Sequence, residues 1–76
     1  MNIKWTILTK MNIEDSVGFV CKDGEPFWCE TQEEAIAMLF SLMVFLPSRW
    51  FCVQMFDLDA EEPNFRRGAA VNVELE

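Results

Sequence analysis

The hydrophobic pattern of this chain is dominated by one apolar run, Ala35 to Leu46, in which a single serine is the only polar residue. Thr31 and Glu34 precede the run with the spacing of a capping box, in which each side chain accepts a hydrogen bond from the other residue's backbone N–H. Pro47 follows the run and disfavours helical geometry in the residue before it. The pattern therefore predicts a helix that begins after Thr31 and ends at or before Leu46.

Alternating or continuous apolar positions predict five strands around this helix, since period-2 alternation is typical of a half-buried strand. The predicted strands are 2–10, 17–22, 27–30, 49–59 and 69–76. An Asp-Gly pair predicts a hairpin between the second and third strands, with a loop of two, three or four residues left open. The fourth strand is apolar on both faces, which favours a central position under the helix or a place in an interface.

These elements predict one α+β domain, residues 1–76. One helix packs across a mostly antiparallel sheet of four to five strands, in the order β-β-β-α-β-β. A chain of this length buries only about 60% of the surface that its unfolded form exposes, so its core must be dense or shared.

The spacing i, i+3, i+4, i+7 predicts which helix residues contact the sheet. It selects Ile36, Leu39, Phe40 and Met43. Large side chains remain on the flanks of the helix, and leaving them in water forgoes several kcal/mol at about 25 cal/mol per Å². Because a small domain has a net stability of only about 5 kcal/mol, we expect self-association or a permanent partner. The expected hydrophobic interface consists of Met38, Leu42, Phe45 and Trp50.

Composition and charge exclude several classes of protein. With 51% hydrophobic residues the chain is too apolar to be disordered. Its net charge of −7 repels phosphate backbones and anionic lipids, so we expect neither direct nucleic-acid binding nor membrane binding. The apolar run spans about 18 Å as a helix, too short for a bilayer of about 30 Å. The first ten residues lack the apolar core of a signal peptide, and a cytoplasmic location is expected.

Carboxylates outnumber basic side chains by thirteen to six, and many of them fall in predicted turns. We expect them to form an acidic rim that meets a basic partner. If they line one side, they could imitate a run of phosphates and occupy a nucleic-acid-binding protein. The predicted rim is Asp23, Glu25, Glu30, Asp57, Asp59, Glu61 and Glu62.

The sequence offers little catalytic or metal-binding chemistry. Histidine is absent, and Cys21, Cys29 and Cys52 have no zinc-like spacing. We therefore expect three free, buried thiols in a reducing compartment. The acidic loop after residue 57 lacks the glycine-assisted turn of a calcium site. No catalytic residue, cofactor or metal is predicted.

The favoured function is that of a small non-enzymatic interaction protein of the regulator or inhibitor type, which acts as a homodimer or as a subunit of a complex. The alternative is a small-molecule binding module or a minor enzyme with a pocket between helix and sheet. In that case Cys29 or Cys52 and a nearby carboxylate would supply the polar groups.

Overall fold

A computed structural model describes residues 2–11, 17–60 and 73–75 and confirms the predicted α+β class and element order. The elements are β1 (Ile3–Lys10), β2 (Gly18–Lys22), β3 (Glu25–Pro26), α1 (Gln32–Phe45), β4 (Trp50–Asp57) and β5 (Val73–Leu75). Glu61 and Glu62 lie outside the described residues. In the described part of the chain, no helix has both the length and the apolar character needed to cross a bilayer.

The sheet has the strand order β3-β2-β1-β4, and β5 pairs with β2 in parallel. β1 is central, because β4 pairs with it antiparallel from Ile3 opposite Asp57 to Lys10 opposite Trp50, while β2 uses its other edge. Of the two positions predicted for β4, the central one is wrong, and the place in an interface stays a prediction. This strand lies beneath the helix, but at the edge of the sheet that the described strands form.

The hairpin between β2 and β3 has a loop of two residues, the shortest of the three loop lengths that the sequence left open. Asp23 and Gly24 both have positive φ, 55° and 79°, as a two-residue type I′ turn requires. The third strand was misplaced: β3 ends at Pro26, and the following residues turn toward β1. Cys29 there exchanges two backbone hydrogen bonds with Trp5, of 2.9 and 2.7 Å.

The helix begins and ends where the sequence predicted. Thr31 is the N-cap, and its hydroxyl accepts a hydrogen bond of 3.2 Å from the backbone N–H of Glu34. The return bond differs from a capping box, because the Glu34 carboxylate accepts from the N–H of Glu30 and not from that of Thr31. Phe45 is the last helical residue, and Leu46 is the C-cap before Pro47.

The predicted sheet-facing side of the helix is confirmed for Leu39, which packs against the core, and is wrong for the other three residues. Ile36, Phe40 and Met43 are exposed, whereas Ala35 and Leu42 are buried. Leu42 forms the core with Ile7 and Val20, and the side chains of Met38, Leu39, Phe51 and Val53 pack around it. Almost every position of this helix is apolar, so periodicity could not select one face. The small side chain of Ala35, which is fully buried, lets the helix approach the sheet on the side that is observed.

The opposite face of the sheet carries a smaller aromatic cluster. The ring of Phe56 lies 6.2 Å from that of Phe19 and 5.7 Å from that of Trp28, the latter edge to face. Thr6, which is fully buried, donates a hydrogen bond to the carbonyl of Phe27. Both faces of the middle of β1 are therefore covered within the chain itself.

Candidate interaction surface

The helix exposes an apolar stripe on the side that does not contact the sheet. We call it the outer stripe: Ile36, Phe40, Met43 and Val44. Its side chains are between 37% and 79% exposed. Residues three or four positions apart are neighbours on a helix, and Phe40 has this spacing to Ile36, Met43 and Val44, so this is one patch and not scattered exposure. Contiguous apolar patches on small proteins mark interaction sites.

The outer stripe lies on the flank of the helix nearest to β4. Successive helix residues are rotated by about 100°, which places Glu34 and Ser41 on the flank opposite to Ile36 and Phe40. Glu34 and Ser41 line a groove shared with residues 27–29. That segment pairs with β1 through Cys29, on the edge of β1 that β4 does not use. The stripe must therefore point toward the β4 side of the sheet.

The four hydrophobic interface residues predicted from sequence fall in different places. Leu42 is 5% exposed and belongs to the core, so its assignment to an exposed flank is wrong. Met38 is half-buried and packs against that core. Phe45 is 79% exposed but lies on the flank away from β4, and Trp50 is exposed at the start of β4. The outer stripe was missed because three of its four residues, Ile36, Phe40 and Met43, were assigned to the sheet.

Several carboxylates gather at the end of the sheet where β1 begins. Asp57 ends β4 opposite Ile3, and its carboxylate accepts a hydrogen bond of 3.1 Å from the N–H of Asp59. Glu30, just before the helix, forms an ion pair with Lys4. Three predicted rim residues therefore share this end of the molecule.

The hairpin adds further carboxylates to the predicted rim. β2 runs antiparallel to β1, so the hairpin turn after β2 lies toward the start of β1. Asp23 and Glu25 flank Gly24, whose N–H donates 2.9 Å to the carboxylate of Glu74. Burial, followed by the charges of Glu74 and Glu25, raises the pKa of the Cys21 thiol from 9.0 to about 11.

The described carboxylates at this acidic end do not converge on one point. Within residues 2–11, 17–60 and 73–75, no three His, Cys, Asp or Glu side chains come together as a metal site would require. The Asp57 carboxylate closes a local turn by accepting the N–H of Asp59.

The groove between the helix and residues 27–29 is the counterpart of the predicted small-molecule pocket. It has a volume of about 380 Å³ and is lined by Cys29 and Glu34 among mostly apolar groups. Burial, and then the charge of Glu34, raises the pKa of the Cys29 thiol. A nucleophilic cysteine needs the opposite shift, so the groove holds a protonated thiol and no activated nucleophile.

The three cysteines are free, as predicted, but only two are buried. Cys21 pairs with Pro26 in the hairpin, so it does not lie opposite Cys29. Cys52 is exposed, which corrects the expectation that all three are buried. It projects from β4 on the face away from the helix, where it lines a shallow apolar groove of about 180 Å³ with Leu8 and Trp50.

No family model, curated protein or solved structure was found to match this chain.

Proposed function

We propose that this chain is a non-enzymatic protein-interaction protein that self-associates through the outer stripe of α1. The observation that carries the proposal is the exposure of four adjacent apolar side chains on a helix whose other side already forms the core. Burying such a patch against a partner gains about 25 cal/mol per Å². For a domain with a net stability near 5–15 kcal/mol, that gain is a large fraction of the total.

The acidic end supplies a second surface for this proposed function. Its carboxylates lie at the start of β1, whereas the outer stripe runs along the helix, so one molecule could self-associate and still present the acidic end. Clustered charge of one sign raises the rate at which an oppositely charged partner is captured. We therefore propose a basic protein, of the nucleic-acid-binding kind, as the partner of the acidic end.

The small-molecule alternative has one specific observation in its favour, the groove lined by Cys29 and Glu34. The carboxylate of Glu34 already accepts the N–H of Glu30, and Cys29 is held in its protonated form by burial. The groove could accept an apolar ligand, but its polar groups have structural roles. We therefore rank the small-molecule binding module below the interaction protein as the function of this chain.

The outer stripe is tested by two matched substitutions on the same helix, Phe40→Glu and Phe45→Glu. Both phenylalanines are exposed, at 62% and 79%, but only Phe40 lies in the outer stripe. We expect Phe40→Glu to convert the wild-type oligomer to monomer, because a buried charge without a partner is strongly unfavourable. Phe45→Glu should leave the oligomer intact. Sedimentation velocity with circular dichroism on both variants provides the measurement.

A wild-type chain that sediments as a monomer up to high concentration would overturn the self-association proposal. Equal dissociation by both variants would show that the helix contributes, but not through the outer stripe.

The acidic end is tested with a short lysine-rich peptide as the probe. We expect binding that weakens as salt rises, because exposed charges more than about 8–10 Å apart are screened at 0.1–0.15 M ionic strength. The variant Asp23→Asn with Asp59→Asn, two exposed carboxylates outside β4, should weaken it further. Fluorescence anisotropy measures the affinity, and a glutamate-rich peptide of equal length is the control. Salt-independent binding, or binding of the acidic peptide, would contradict the assignment.

A further inference from the structure

Among the described strands, β4 has an outer edge that is not paired. No strand in the described ranges pairs with its outer side, and its residues, WFCVQMFD, include no lysine and no proline. Its pairing with β1 continues without a bulge from Trp50 to Asp57. Natural edge strands are usually protected by such features, because unpaired backbone N–H and C=O groups bind other strands. A long apolar edge without them needs a cover.

This edge is continuous with the outer stripe. Met55 of β4 shares the helix side of the sheet with Val53, since side chains two apart lie on the same face, and it is 47% exposed. The outer stripe lies on the β4 flank of the helix, so both surfaces are available to one partner.

We propose that the partner is a second copy of this chain, whose β4 pairs antiparallel with β4 about a two-fold axis through Val53. This inference rests on the proposed self-association and names its geometry. When a strand pairs with its own copy, both chains use the same edge of that strand. Only every second residue directs its backbone N–H and C=O toward that edge. Residues that lie opposite each other must therefore both be odd-numbered or both be even-numbered. The two-fold axis then passes through a residue and not between two residues.

Charge selects Val53 as that residue. With the axis there, Arg49 of one chain lies opposite Asp57 of the other, at both ends of the pair. Arg49 already lies on the helix side of the sheet, where its Nε donates to the hydroxyl of Thr9. An axis through Gln54 places Asp57 opposite an apolar Phe51 instead. Opposite charges facing each other across strands are stabilising.

The same register pairs apolar side chains along the rest of the strand. Trp50 lies opposite Phe56 and Phe51 lies opposite Met55, so aromatic groups meet aromatic or flexible apolar groups. An axis through Cys52 shortens the overlap of the two strands and removes the Arg49 contact with Asp57. Val53 is therefore the centre that best matches both charge and length.

The spacing of the helices supports this arrangement. α1 packs over both β1 and β4, and a two-fold axis perpendicular to the sheet places both helices on the same face. Neighbouring strands are about 4.8 Å apart. When each helix is centred over its own β1 and β4, the axes of the two helices are about 10 Å apart, which is the upper end of normal helix packing. The outer stripes of the two copies then face each other across the axis.

Disulfide trapping tests the register, with oxidised glutathione as the oxidant. Directly opposite Cα atoms are about 4.5–5.5 Å apart, within the range of a disulfide. The proposed register places Cys52 opposite Gln54 of the other copy, so Gln54→Cys in the presence of Cys52 should give covalent dimer as the main species. Wild-type chain, with Cys52 alone, and Gln54→Cys combined with Cys52→Ser should remain monomeric on non-reducing gels.

Each other pattern of cross-linking overturns the proposal in a recognisable way. Dimer formed by the wild type indicates an axis through Cys52, and dimer formed by Gln54→Cys with Cys52→Ser indicates an axis through Gln54. Absence of dimer from all three rejects edge pairing.

A second pair of variants separates this inference from the proposed function. Met55→Lys adds a charge beside the edge, and Met11→Lys changes an equally exposed methionine, 43% against 47%, away from it. We expect Met55→Lys to raise the dissociation constant at least about tenfold, or 1.4 kcal/mol, and Met11→Lys to leave it unchanged. If Phe40→Glu dissociates the oligomer but Met55→Lys does not, self-association stands and β4 pairing fails. A monomeric wild type rejects both.

Discussion

Replacement of Leu42 by glutamate is expected to unfold the protein and not merely to dissociate it. Leu42 is 5% exposed and closes the core with Ile7 and Val20, so an unpaired carboxylate there would be buried. The milder change Leu42→Ala is expected to lower the free energy of unfolding by about 2–5 kcal/mol. Urea denaturation followed by circular dichroism measures this loss.

The matched control is Ile36→Ala on the same helix, because Ile36 belongs to the exposed outer stripe. Unfolding of an oligomer depends on protein concentration, so all chains are compared at one concentration at which the wild type is monomeric. A loss from Leu42→Ala no greater than that from Ile36→Ala would contradict the observed orientation of the helix.

Alkaline pH is expected to destabilise the fold through Cys21. The folded pKa of this thiol is about 11 against an ordinary value of 9.0, chiefly because of burial. A raised folded pKa means that the unfolded chain loses its proton first, so the stabilising contribution is complete below pH 9 and is lost as pH rises toward 11. At 1.36 kcal/mol per pKa unit, the loss is about 2–3 kcal/mol.

The variant Cys21→Ala removes the titrating thiol and serves as the control, since other groups also titrate in this range. The difference between the wild-type and Cys21→Ala unfolding free energies should shrink between pH 9 and pH 11. A difference independent of pH would show that the Cys21 thiol ionises equally easily in the folded and unfolded chains.

The proposed dimer would have a defined functional shape. Antiparallel pairing of β4 about an axis perpendicular to the sheet directs the two β1 starts in opposite directions. The two acidic ends would therefore lie at opposite extremes of the dimer, with both helices on one face. Such a molecule could engage two basic partners, or two sites on one, and linked contacts of this kind raise the overall affinity.

Local features of the sequence were sufficient to predict the elements and their order. The Asp23-Gly24 turn, the Thr31 cap and the Pro47 stop each depend on backbone chemistry within a few residues, and the structure contains all three. Apolar alternation likewise located β1, and a run that is apolar on both faces located β4. These signals are short-range, so they can be recognised without knowledge of the remaining chain.

Long-range contacts decided the candidate site. From Ala35 to its end the helix is apolar at every position except Ser41, so only packing of Ala35 and Leu42 against the sheet determined that Phe40 is exposed. The bridge between Cys29 and Trp5 placed the segment before the helix on the edge of β1 that β4 does not use. Sequence alone thus determined the order of helix and strands and the place of most of them, with β3 as the exception. Tertiary structure decided which apolar surfaces remain uncovered, because a uniformly hydrophobic segment has no preferred side until another element packs against it.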